Sequence, residues 1–284
     1  MLKQRIATAI VLVTVLVASL GATSPIPALA LFAVVAMLAT WEWLRLTLPV
    51  HQHWLALAAA AGVSILLGWA TAAFGIDDTS RAASALRSCF DLLTLVAVMA
   101  WMVAVPIVVA RARTTERRHV IALSVFGVVA SIALWYSLAA LLLRSGAWYL
   151  VSMMALIWIA DSTAYFVGRA WGRRKLAPAV SPRKTLEGAL GGLAGAVLWV
   201  ALNAIWPSSF GAHLIDYWGW SVALLTAALL AALSIFGDLF ESVLKRRADM
   251  KDSSRLLPGH GGILDRIDAL YPVAPLVLLI SGGP

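Results

Sequence analysis

Charge is what this chain has least of. Only 13% of its 284 residues are Asp, Glu, Lys or Arg, about half the share found in an ordinary soluble domain. Together with 62% hydrophobic residues, that scarcity excludes a disordered chain, a charged coiled coil and a collagen-like repeat. Cysteine is nearly absent as well. Cys89 alone permits neither an intramolecular disulfide nor a cysteine metal cluster, and it reads as a small buried hydrophobe. No repeat of solenoid period and no long polar stretch suited to a soluble domain are found.

Apolar runs are what the chain has in abundance. A bilayer's hydrocarbon core needs ~20 apolar residues per helix, and nine runs approach or meet that length. They fall at 6–23, 26–41, 54–75, 92–110, 120–143, 147–168, 189–206, 218–236 and 269–280. The second is crowded by Pro25, Pro27 and the Trp41-Glu42-Trp43 cluster, and the last is short and interrupted by Pro272 and Pro275. Lys3 and Arg5 ahead of the first run resemble a signal peptide, but the many runs behind it favour an uncleaved helix. The predicted fold is an all-α polytopic membrane protein of nine transmembrane helices. Residues 1–145 supply five of them; 146–284 form a catalytic region with polar loops at 169–188 and 237–268.

The net charge of +8 matters through its placement. Alternating the loops between two sides puts 19 of the 22 basic residues on the side of the N-terminus, including Arg45, Arg111, Arg113, Arg117 and Arg118. The other side receives only Arg81, Arg87 and Arg144. The positive-inside rule then makes the N-terminus and both polar loops cytoplasmic, in a multi-pass inner-membrane protein.

The first polar loop is led by Asp161, about two turns from the cytoplasmic end of its span. A carboxylate inside a span is costly and by default marks a functional site with a partner. Arg173, Arg174 and Lys175 read as topology determinants. Ser181-Pro182 is expected to start a helix, serine as cap and proline at the first position. Lys184 and Thr185 would then lie in a first turn that attracts phosphate.

The second polar loop opens with Asp238, Glu241, Ser242 and Lys245, spaced to share one helix face. Three glycines around His260 allow backbone to approach a ligand closely. His260 itself is open between general acid/base, phosphate donor and turn residue. Asp265 and Asp268, three apart, are expected to face the same way. Asp249, between Arg247 and Lys251, reads as a solvated ion pair. Carboxylates without cysteine and with little histidine suit a hard ion such as Mg²⁺, and the neighbouring cations suit phosphate. Acids, cations and a glycine loop together describe phosphoryl or nucleotidyl transfer at the inner membrane face.

The run Ser242-Val-Leu-Lys245-Arg246, Lys251-Asp252 and Leu257-Pro258-Gly259-His260-Gly261-Gly262-Ile263-Leu264-Asp265-Arg266-Ile267-Asp268 resembles the signature of the phosphatidate cytidylyltransferases, or CDP-diacylglycerol synthases. Asp161 to Tyr165 and Ser181 to Gly188 resemble further segments of that family, with Arg183 where lysine is common. The N-terminal spans match only in hydropathy and in the Glu42-Trp43 pair. The resemblance implies that CTP and phosphatidic acid give CDP-diacylglycerol and pyrophosphate, with Mg²⁺ and a monovalent companion such as K⁺. It assigns Asp238, Asp265 and Asp268 to the metal. It assigns Asp161, Lys184, Lys245, Arg246, Asp252, His260 and Arg266 to the reaction. Ser181, Lys184, Thr185, Ser242, Lys245, Lys251, Gly261 and Gly262 would bind substrate. CTP, phosphatidic acid and the bilayer are the expected partners, nucleic acid is not, and apolar faces allow a homodimer.

Alternatives are another membrane CTP- or lipid-phosphate transferase, or an ion-coupled transporter. A transporter would show inverted repeats, and none is evident. A CDP-alcohol phosphatidyltransferase would carry an Asp-Gly-x-x-Ala-Arg run, which this chain lacks.

Overall fold

The computed structural model describes residues 2–75, 81–111 and 119–281; Arg113, Arg117 and Arg118 lie outside the described residues. In chain order its helices are α1 (Leu2–Leu20), α2 (Ile26–Thr47), α3 (His53–Gly75), α4 (Arg81–Met99), α5 (Val105–Arg111) and α6 (Val120–Trp171). A hairpin of β1 (Lys175–Ala177) and β2 (Ser181–Thr185) follows. Then come α7 (Leu186–Asn203), α8 (Phe210–Arg247), α9 (Leu264–Ile267) and α10 (Leu270–Ile280). Among the described residues six helical stretches are long and apolar enough to cross a membrane, and Ile6–Leu20 and Leu270–Ile280 are shorter apolar helices.

Two helices are longer than a bilayer is thick, and glycine explains both. α6 has 52 residues, but Gly146 (φ 84°, ψ 172°) leaves the helical region and divides it where the sequence separates runs 120–143 and 147–168. In α8, Gly219 (φ 74°, ψ 166°) does the same at the start of run 218–236. Without a Cβ, glycine adopts these positive φ values at no steric cost. Between α4 and α5 the helix widens to a π-turn at Ala100–Ala104, which accommodates Pro106 and its missing amide hydrogen.

Three expectations need correction. Ser181-Pro182 does not start a helix: both residues lie in β2, paired antiparallel to β1 with Lys175 opposite Thr185. A two-stranded hairpin tolerates proline because an edge position needs no amide hydrogen. Cys89 is exposed on α4 and not buried. A small apolar side chain needs no protein cover where the solvent is hydrocarbon. The second helix runs on past residue 41 to Thr47, so Glu42 lies inside it, with 0% of its surface exposed.

Contacts divide the chain into two compact units. The first holds residues 1–99, 115–139 and 244–267. In it Trp43 Nε1 of α2 donates to Leu123 O of α6 (2.9 Å), and Trp135 Nε1 of α6 donates to Leu29 O of α2 (3.1 Å). These indole bonds cross-link two helices whose apolar faces alone would leave register loose. Tyr136 Oη donates to Asp91 Oδ1 of α4 (2.7 Å), satisfying a carboxylate inside an apolar helix.

The second unit holds residues 100–114, 140–243 and 268–284. Here α7 packs on the second arm of α6 through glycine. A Cβ on Gly188 would meet Ala164 O at 2.8 Å, and one on Gly192 would meet Ala160 O at 3.0 Å. Backbones thus approach as small-residue seams allow in membranes. Trp101 packs edge-on to Phe240 (centroids 5.5 Å apart), and Trp199 Nε1 donates to Ser152 O (2.9 Å).

Candidate active site

In the second unit the local fold delivers Lys184 to α8. Thr185 is the N-cap of α7, its Oγ1 accepting from Gly188 N at 3.1 Å. Glu187 reaches back to accept from the amides of Arg173 (3.0 Å) and Arg174 (3.1 Å) and from Arg174 Nε (3.0 Å). Cap and clasp fix the hairpin to the helix start, and Lys184 stands immediately before the cap. Its Nζ lies 2.6 Å from Asp238 Oδ2, both side chains being partly exposed.

Two more carboxylates join this pair. Asp161 of α6, exposed on that helix, lies within electrostatic reach of Lys184 and Asp238. Asp268 interacts with Asp238, Lys184 and Asp161, and its Oδ1 accepts from Ala269 N at 2.8 Å. Gly237 makes that approach possible, since a Cβ there would meet the carbonyl oxygen of Asp268 at 2.5 Å. Burial first, and the Asp238 carboxylate second, push the Asp268 carboxyl well above the ordinary range. Ser242, one turn after Asp238, donates to Asp238 Oδ1 at 3.4 Å, so the predicted helical spacing holds. One acid thus pairs directly with the ammonium group, and two more act on that pair electrostatically.

The chain also shapes an apolar cavity of about 620 Å³ in this unit. Leu176, Val180, Leu186, Leu190, Phe236 and Leu239 are among its lining residues. Leu186 and Leu239 directly follow Thr185 and Asp238 in sequence.

The first unit holds the remaining candidates. Asp265 Oδ1 receives Lys245 Nζ at 2.6 Å. Its Oδ2 accepts from Ser253 N (2.9 Å), Ser253 Oγ (2.9 Å) and Gly262 N (2.8 Å). Gly261 (φ 86°) lies against both Asp265 and Asp252, so Asp252 sits beside this turn while its own side chain faces outward with that of Lys251. Arg266 Nη2 donates to His260 O at 2.8 Å, tying that guanidinium to the glycine loop. His260 Nδ1 is buried without a hydrogen-bond partner among the described residues. Arg246 is exposed at the end of α8. Asp249 proves to be a helix terminator: at φ 56° it follows the last turn, with Asp249 N bonded to Arg246 O and Met250 N to Lys245 O.

Asp265 and Asp268, expected to act together, engage different partners, because α9 is only four residues long and ends between them. Sequence reasoning missed Glu42. Its Oε1 accepts from Ser254 Oγ (2.5 Å) and Ile263 N (3.0 Å), and its Oε2 from Ser253 Oγ (2.9 Å) and Leu264 N (2.6 Å). The available signal was an acid between two tryptophans in a helical pattern that continues beyond them.

Residues 3–281 match the model of the cytidylyltransferase family. A phosphatidate cytidylyltransferase of Pseudomonas aeruginosa is 37% identical over 285 residues, covering 100% of this chain and 98% of that protein. The Haemophilus influenzae protein of the same name is 33% identical over 287 residues, covering 97% and 96%. One from Thermotoga maritima is 44% identical over 124 residues, covering 43% and 45%.

Proposed function

The chain belongs to the cytidylyltransferase family, and from that premise we propose that it transfers a cytidylyl group from CTP to phosphatidic acid, giving CDP-diacylglycerol and pyrophosphate. The observation that carries this reading into the molecule is the Lys184–Asp238 pair, on which Asp161 and Asp268 act electrostatically. Hard oxygen donors with a single counter-cation suit both a divalent ion and phosphate.

The reaction needs no protein nucleophile. A phosphate oxygen of the lipid attacks the α-phosphorus of CTP, a new P–O bond forms, and the bond to the bridging oxygen breaks as pyrophosphate departs with its electron pair. Lys184 leaves Asp238 for a phosphate oxygen, exchanging one anionic partner for another. Lys245, Arg246 and Arg266 neutralise further phosphate charge. Ser181, Thr185 and Ser242 of the second unit, and Lys251, Gly261 and Gly262 of the first, are assigned to substrate in this reading, and Asp252 and His260 to the reaction.

Among the described residues no three acids stand close enough to hold an ion by themselves, which suits Mg²⁺, an ion that takes one or two carboxylates and completes its shell with water and substrate phosphates. Asp238 and Asp268 in the second unit are its ligands in this reading, with Asp161 as their neighbour and K⁺ as a companion ion. Asp265 offers Oδ1 to an ion once Lys245 moves to phosphate, because Oδ2 is already taken by the amides of Ser253 and Gly262. Bound Mg²⁺ supplies positive charge to the phosphates and the leaving group. The apolar cavity beside Leu186 and Leu239 takes an acyl chain of the lipid.

In this reading nine helices cross the inner membrane with the N-terminus in the cytoplasm, and residues 146–284 carry the acids and cations of the reaction. A homodimer is compatible with it. Purified protein given labelled CTP, phosphatidic acid and Mg²⁺ should form CDP-diacylglycerol, and Asp238→Asn or Asp265→Ala should abolish it. Turnover of another lipid phosphate in place of phosphatidic acid, or full activity in both variants, would overturn the assignment.

A further inference from the structure

Glu42 is a carboxylate with none of its surface exposed, and among the described residues every hydrogen bond to it comes from one segment, residues 253–264. An ionised carboxyl offers about four lone-pair sites. Ser254 Oγ and Ile263 N reach one oxygen and Leu264 N the other, which Ser253 Oγ also approaches with its single proton, so this segment encloses both oxygens of Glu42. Gly262 makes room for it: a Cβ there would stand 2.6 Å from both Glu42 oxygens. Ser253 Oγ lies 2.9 Å from Glu42 Oε2 and 2.9 Å from Asp265 Oδ2, linking the two carboxylates. Asp265 in turn holds Lys245.

We propose that Glu42 is a positioning residue for the Lys245–Asp265 pair: α2 fixes the glycine loop, the loop fixes Asp265, and Asp265 aims Lys245 at the triphosphate. The inference rests on the cytidylyl-transfer reading for the identity of that phosphate. It makes the N-terminal part of the chain a component of the site and not only a membrane anchor.

The geometry dictates the test. Each Glu42 oxygen receives one backbone amide, from Ile263 or Leu264, and backbone amides cannot turn around. Glutamine has the same shape, but its NH₂ must face one of them in either orientation. Glu42→Gln should therefore loosen the loop despite being isosteric. In the full-length protein in lipid nanodiscs, amide hydrogen exchange over 253–264 should rise at least tenfold while α3 and α4 stay as in wild type. Lys245 should acylate faster with an amine reagent, and kcat/KM for CTP should fall at least tenfold.

Unchanged exchange, unchanged Lys245 reactivity, or loosened exchange with unchanged kcat/KM for CTP would each overturn the proposal. Should Glu42→Gln fail to fold, Ser254→Ala removes only one of the four bonds. It should move exchange and Lys245 labelling in the same direction by a smaller factor, and no movement would also overturn it. If the wild-type protein forms no CDP-diacylglycerol, the functional reading falls, while exchange and labelling still decide whether Glu42 positions the pair.

Discussion

Lys184 and Asp238 meet at 2.6 Å although one ends a hairpin and the other lies deep in α8. As a partly exposed ion pair it contributes only ~0–1 kcal/mol to stability. Its consequence is placement: an ammonium is held on Asp238, within the electrostatic influence of Asp161 and Asp268, ready to pass to phosphate.

Replacing Lys184 by methionine should therefore leave the fold intact and damage the chemistry. Loss of one charge-stabilising donor lowers turnover by roughly 100-fold. Steady-state kinetics with CTP and phosphatidic acid should show that fall, with a melting temperature within a few degrees of wild type. A variant retaining more than half of wild-type kcat/KM would remove Lys184 from the mechanism.

Asp268→Asn should separate stability from activity. The wild-type carboxyl is held above its ordinary range, so its native form resists ionising. The resulting penalty is absent in acid, sets in as pH rises above the unfolded-state value and is complete above the folded-state one. In EDTA-treated protein, heating scans across pH should show wild type losing stability over that window and the asparagine variant losing less. At neutral pH the variant should melt higher, yet respond poorly to added Mg²⁺.

Gly237→Ala tests the approach of α10 to α8. Its new methyl would stand 2.5 Å from the Asp268 carbonyl oxygen, which is backbone and cannot swing aside. Overpacking of this kind costs roughly 1–3 kcal/mol. The melting temperature should drop, and the Mg²⁺ concentration for half-maximal activity should rise, because Asp268 is displaced from Asp238.

Thr185→Val keeps size and β-propensity but deletes the oxygen that caps α7. About 1 kcal/mol of stability should be lost by thermal or chemical denaturation, and Thr185→Ser should restore most of it. Equal melting of the valine variant and wild type would show that Glu187's clasp alone secures the helix start.

Much of this was legible in the sequence. Hydropathy located the helical runs, including the separate arms of α6, because a span must be apolar over its whole length and glycine can break it at one residue. Helical spacing correctly put Asp238 and Ser242 one turn apart. The Ser181-Pro182 helix start was misread because serine before proline suits a cap and an edge strand equally well, and the cap fell to Thr185. Glu42 was overlooked because nothing within a few residues of it explains a buried acid; its partners are more than 200 positions away.

By itself the sequence determined a helical protein of membrane-length apolar runs and the family signature, since each is written in local composition, period or order. Tertiary structure alone decided which charges touch. Lys184 with Asp238, and Glu42 with the Ser253–Leu264 segment, arise where glycines let backbones come within contact distance. Such pairings depend on how helices stack, which no short window of residues encodes.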